Sequence, residues 1–161
     1  MIKKIFFTFL LLLALSVNSH SAGSSDNSKT KTKYDKAVAN IKLAKNYEKK
    51  DKIKKANKKY EKAVKLLIES NKEKPNNPDT LNYLGFTKRK LGDFENGEKF
   101  YLEGLAIEPN HIGINEYLGE LYVVTNRISL AIERLKVLES CNCKEYNQLR
   151  EVIQGIKKSK Y

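Results

Sequence analysis

Apolar residues recur through most of this chain three and four positions apart, with polar residues between them, which is the signature of amphipathic helices. Leu81, Leu84 and Leu91 form one such stripe, interrupted by Lys88. Phe94, Tyr101, Leu105 and Ile107 form the next, ending before Pro109. Ile114, Tyr117, Leu118, Leu121 and Tyr122 form a third, and Ile128, Ala131, Ile132, Leu135 and Leu138 a fourth. Helix punctuation falls between them. Asn77-Pro78-Asp79 supplies a capping amide, a proline suited to the first helical position and an acid for the first turn. Gly92 is placed to end one helix and Asp93 to cap the next. One copy later Asn110 repeats the helix start, and Asn126 takes the place of Gly92, because asparagine tolerates the left-handed conformation of a helix C-terminus.

The stripes repeat. Pro75 and Pro109, Tyr83 and Tyr117, Leu84 and Leu118, and Gly85 and Gly119 are all 34 residues apart. At the same spacing Tyr60, Phe94 and Ile128 form one series; Ala63, Gly97 and Ala131 a second; Leu67, Tyr101 and Leu135 a third. Bulky aligns with bulky and small with small, so the unit is a helix-turn-helix repeat.

Leu84-Gly85, Gly97, Tyr101 and Pro109 in one copy, with Leu118-Gly119, Tyr122, Ala131 and Leu135 in the next, resemble the tetratricopeptide repeat family. The resemblance implies an all-α, short right-handed α-solenoid of antiparallel helix pairs with a C-terminal capping helix. It covers residues 34–157: a degenerate copy over 34–74, repeats over 78–111 and 112–143, and a cap helix over 144–157. Lys88 stands where the family carries tyrosine, and Gly97 and Gly104 where it carries alanine. Each such glycine costs about 1 kcal/mol relative to alanine, so the middle repeat should lean on its neighbours.

In the degenerate copy, stepping back 34 from Leu84-Gly85 lands on Lys50-Asp51, which cannot pack. The pattern predicts one long first helix from Tyr34 to Ala56 on Ala37, Val38, Ile41, Ala44, Ile53 and Ala56, turning near Asn57. The lysines between Lys45 and Lys59 would face water. In the cap, Leu149, Val152, Ile153 and Ile156 share one face, and a polar back closes the stack against solvent.

The N-terminus reads differently. Met1-Ile2-Lys3-Lys4 is basic, Ile5 to Val17 is a 13-residue apolar run broken only by Thr8 and Ser16, and Ser19, Ser21 and Ala22 are small. This is the order of a secretory signal over 1–22, too short to span a bilayer as a helix. Residues 23–33 have a disordered leader's composition. The expected location is periplasmic or secreted.

Net charge is +12, and it is uneven: residues 23–78 hold 17 basic and 7 acidic side chains, residues 79–161 hold 12 of each. All the basic residues of the first half are lysines, and aromatics are not interleaved among them as stacking platforms, which argues against nucleic acid and leaves contact with an anionic membrane surface open.

Chemistry is sparse. Cys141-Asn142-Cys143 supports three readings: a small disulfide fastening the turn before the cap, a soft-metal thiolate pair, or two reduced turn residues. The first two would make a thiol-redox or metal-handling protein. Past Met1, the only histidine outside the expected signal is His111, at a helix start, so no metal site, cofactor or catalytic residue is expected. The resemblance instead implies a protein-binding groove lined by the first helix of each repeat. By register it holds Asp79, Asn82, Phe86, Arg89 and Lys90, then Gly113, Glu116, Glu120, Val123 and Val124. Glu116 and Glu120 would repel a peptide's terminal carboxylate and favour an apolar or basic segment; Phe86 could belong to that groove or to the core. The expectation is a non-enzymatic scaffold or adaptor whose partner is another protein.

Overall fold

Seven helices run in sequence through residues 31–159, which the computed structural model describes: α1 (Lys33–Glu48), α2 (Ile53–Glu73), α3 (Pro78–Lys90), α4 (Phe94–Ile107), α5 (Ile112–Val124), α6 (Ile128–Val137) and α7 (Lys144–Ile153). The expected signal and most of the expected leader lie outside these residues. Four of these helices, α1, α3, α4 and α5, open on a side-chain cap. The Thr32 hydroxyl accepts from the Asp35 N–H while the Asp35 carboxylate accepts from the Thr32 N–H, a capping box that opens α1 one residue earlier than the pattern predicted. Asn77 accepts from the Thr80 N–H at 2.8 Å ahead of Pro78. His111 caps α5: its Nδ1 accepts from the Ile114 N–H at 3.1 Å, which leaves Nε2 to donate to Asp79 at 3.2 Å.

The helices pair as α1–α2, α3–α4 and α5–α6, and α7 packs on α5 and α6. Odd helices also touch one another in order along the stack, whereas no two even helices do among the described residues. The odd helices therefore form the inner layer of a curved solenoid and the even helices the outer one. One core runs through Ala37, Ile41, Tyr60, Leu67, Leu84 and Phe86, and continues into a second around Tyr101, Ile114, Leu118 and Ala131. Burying one such large apolar side chain is worth about 1.5–3 kcal/mol, and every repeat supplies several.

Glycine at the repeat's small positions admits bulky partners. A Cβ on Gly85 would come within 2.5 Å of the Tyr101 ring, and one on Gly119 within 2.5 Å of Leu149. One position thus serves twice: Gly85 admits an aromatic from its own repeat, Gly119 a leucine from the cap. A Cβ on Gly97 would lie 3.2 Å from the Gly85 carbonyl oxygen, so the two backbones meet closely. Lys88 uses its departure from tyrosine to reach the Asp93 cap at 2.9 Å, and this ion pair holds the Asp93 carboxyl below its ordinary value. Gly92 and Asn126, 34 apart, both adopt the left-handed conformation, with φ of 83° and 58°.

Several expectations are corrected. The predicted single helix over Tyr34–Ala56 is two helices, with a turn at Lys49–Lys52 in which Asp51 takes φ 55°. A straight helix would leave Ala37, Ile41 and Ala44 facing water. Folding back seals them against Ala56, Tyr60 and Ala63. Consequently α2 starts seven residues before the in-frame equivalent of Phe94, which is Tyr60. Ile53, expected to pack, is half exposed at the tip of this hairpin. Phe94, Ile128 and Ile132 are likewise well exposed, since they fall on outer helices with no further layer over them. Lys45, expected in water, is half-buried with its ammonium 4.3 Å from the Phe86 ring centroid. The cap helix stops at Ile153, because Gly155 (φ 69°) turns the chain, and Ile156 is 72% exposed rather than on the packed face.

Candidate functional site

The inner layer is where the groove residues were expected, and the structure places all of them on α3 and α5. It does not leave them all open. Asn82, Phe86, Arg89, Glu116 and Glu120 are buried, and Lys90 and Val123 are half-buried. Phe86 is core: its ring centroid lies 6.0 Å from that of Tyr60, edge-on, and 5.2 Å from that of Tyr117, tilted. The reason is the close approach of successive inner helices, which turns the deepest groove positions into a helix–helix interface.

That interface is built on charge. The Arg89 and Glu120 side chains are both fully buried, with Nη2 3.0 Å from Oε2. Arg89 Nη1 donates to the Tyr117 carbonyl. Glu116, one turn before Glu120, is buried as well. Burial first, then the neighbouring Glu116 charge, pushes the Tyr117 phenol up. Burial likewise raises Tyr101, although the Arg89 charge opposes it. A guanidinium is suited to this position, being weakly hydrated and able to bond in two directions at once.

The accessible part of the inner face lies beside this cluster, in the cleft between α1 and α3. A cavity of 330 Å³ is lined there by Val38, Ile41 and Tyr83, with Lys42, Lys45, Asn46 and Lys49 around it. An apolar floor inside a rim of ammonium groups can hold a side chain of an extended segment and pair with its charge. Lys90 is held off this rim: it pairs with Glu48 at 2.6 Å, whose other carboxylate oxygen accepts from the Tyr60 hydroxyl at 2.9 Å. A larger cavity of 470 Å³ lies at the junction of the α1 and α3 starts, between Tyr34, Glu73 and Asp79. Lys33 lies on its wall and bridges Glu69 and Glu73 across the α1–α2 pair.

Cys141 and Cys143 are joined as a disulfide with Cα atoms 5.2 Å apart, bracketing Asn142 in the left-handed conformation just before α7. In this bonded form neither sulfur is a thiolate able to ligate a metal.

Three features escaped the sequence reading. Arg89 and Glu120 were each placed in the groove, but their pairing across 31 residues was not seen. One repeat less three residues sets two side chains on facing sides of successive inner helices, so that spacing was the available signal. Arg127 and Glu98 make a two-pronged pair at 2.8 and 2.7 Å, and the Arg127 guanidinium lies over Tyr122. Their separation of 29 is again close to one repeat. The third, a contact from the C-terminal residues to Glu120, had no sequence signal.

No family model matches the chain, and no curated protein matches it in sequence. Solved structures do. The chain is similar to the first TPR of Spaghetti (RPAP3) bound to HSP90 peptide SRMEEVD, at 20% identity over 78% of this chain and 96% of that one, with a TM-score of 0.54. Paired helices in a 34-residue register, a small residue at each close crossing and this likeness together identify the described residues as a tetratricopeptide-repeat fold.

Proposed function

We propose that this protein is a non-enzymatic, exported interaction module that binds an extended segment of another protein along the inner face of its odd helices. The observation that supports it best is the α1–α3 cleft, an apolar floor of Val38, Ile41 and Tyr83 open between two inner helices and rimmed by lysines. The similar fold with a peptide bound adds to it. Export rests on the basic start and 13-residue apolar run of residues 1–22.

Photo-crosslinking in the producing cells tests this. A benzophenone amino acid at Lys42 or Val124, both exposed and on inner helices, is expected to trap a protein adduct recovered outside the cytoplasm. The same group at Leu102, exposed on outer helix α4, is expected to trap none. Adducts from Leu102 alone, or adducts confined to the cytoplasm, would contradict the proposal.

A further inference from the structure

The first hairpin is longer than the others, and most of its extra length is lysine. α2 has 21 residues and α4 has 14, yet the two helices end in frame, at Glu73 and Ile107. The additional residues of α2 therefore all lie at the hairpin tip, where they add about 10 Å of helix. From Lys49 to Lys59 the tip carries seven lysines against one acid, Asp51. Lys49, Lys50, Lys52, Lys54, Lys55 and Lys58 are all exposed. None of these six has an ion-pair partner among the described residues.

The other tips are arranged differently. At the α3–α4 turn Lys88 pairs with Asp93, Arg89 with Glu120 and Lys90 with Glu48. At the α5–α6 turn Arg127 pairs with Glu98. Each of these cations is neutralised within the fold. The first turn of α2, in contrast, holds no acid, and no side chain caps its start. Lysines at a helix start oppose the helix dipole, so folding does not reward this pattern. A ligand outside the chain can. Ile53, the first residue of α2, is 50% exposed in the middle of these lysines. A soluble polyanion offers nothing to bury it, whereas a bilayer interface takes an aliphatic side chain between its headgroups.

We propose that the α1–α2 tip docks on an anionic membrane surface, its exposed lysines pairing with lipid phosphates and Ile53 entering the interface between them. Each lysine near such a surface adds to the attraction, which fades within a Debye length. Cations gathered at one tip therefore act together, where the same number spread over the fold would not. The contact does not depend on the inner-face groove. Only Lys49 is common to the tip and to the rim of the α1–α3 cleft.

Every arm of the test uses the exported form, residues 23–161, so that the apolar run of residues 5–17 does not itself enter the bilayer. Vesicles of phosphatidylcholine with about one-third phosphatidylglycerol are expected to sediment the protein at low salt, and binding is expected to fall steeply as salt rises. Pure phosphatidylcholine vesicles are expected to leave it in solution. Lys50→Glu, Lys54→Glu and Lys55→Glu together, all at exposed positions, are expected to weaken partition by about a hundredfold at unchanged helix content. The chain has no tryptophan, so Ile53→Trp supplies a single reporter, and its emission is expected to move to shorter wavelength on the anionic vesicles. Phe94→Trp, at the exposed start of α4, is expected not to move. No binding to anionic vesicles, a flat salt response, undiminished binding by the triple variant, or equal emission shifts at the two tryptophan positions would overturn the proposal. Retention on heparin without vesicle binding would make the tip a polyanion site and end the lipid assignment.

Discussion

Replacing Arg89 by methionine is expected to lower the unfolding free energy by about 3–5 kcal/mol, read as a shift of the urea midpoint at unchanged slope. The magnitude follows from what is left behind. The guanidinium is fully buried against a fully buried Glu120, and it also satisfies the Tyr117 carbonyl. Methionine fills much of the volume and restores neither bond. Glu120 then remains buried without the guanidinium that pairs with it. A buried ion pair contributes little net stability, whereas half of one is strongly destabilising. The double variant Arg89→Met with Glu120→Leu is therefore expected to recover most of the loss. A double variant no better than the single one would show that the charge pair is not what Arg89 supplies.

Tyr101→Ala is expected to cost a similar amount, about 3–5 kcal/mol, as large aromatic truncations in cores do. Tyr101 is fully buried, and its ring fills the gap that Gly85 leaves open on α3. The fit is mutual, so the two sites should be coupled. Gly85→Ala alone forces its new Cβ to 2.5 Å from the ring and should destabilise by about 1–3 kcal/mol through overpacking. In a Tyr101→Leu background the same alanine should cost much less. Additive effects in a double-mutant cycle by urea denaturation would contradict this packing.

These residues also show what the sequence disclosed and why it stopped there. Gly85 and Tyr101 were legible because their neighbours 34 residues on have the same character, and a repeat's packing positions are set by its own pair of helices. The Asn77 cap, the Gly92–Asn126 exchange and the α3 to α6 helices were readable for the same local reason. The first hairpin was not. Its apolar stripe is compatible with one helix or two, and only burial of Ala37 against Ala63 across the turn decides between them. Burial of the groove residues was hidden too. Register placed Phe86, Arg89 and Glu120 on the inner helices correctly, but register does not report how closely two inner helices approach. The contact of Ser159 with Glu120 lies furthest from reach, since the two are joined by no period and no motif.

The central claim is that the inner layer of odd helices, and not the outer layer of even ones, receives a partner segment. Peptides enriched from a random display library on the immobilised full chain, titrated into the ¹⁵N-labelled protein, test it most directly by amide shift mapping. The account predicts perturbations concentrated on Val38, Lys42 and Tyr83 in the α1–α3 cleft and on Glu120 and Val123 of α5, with Ile68, Leu102 and Ile132 on the outer helices unmoved. Shifts clustered on those outer helices, or a library from which nothing is enriched, would contradict it.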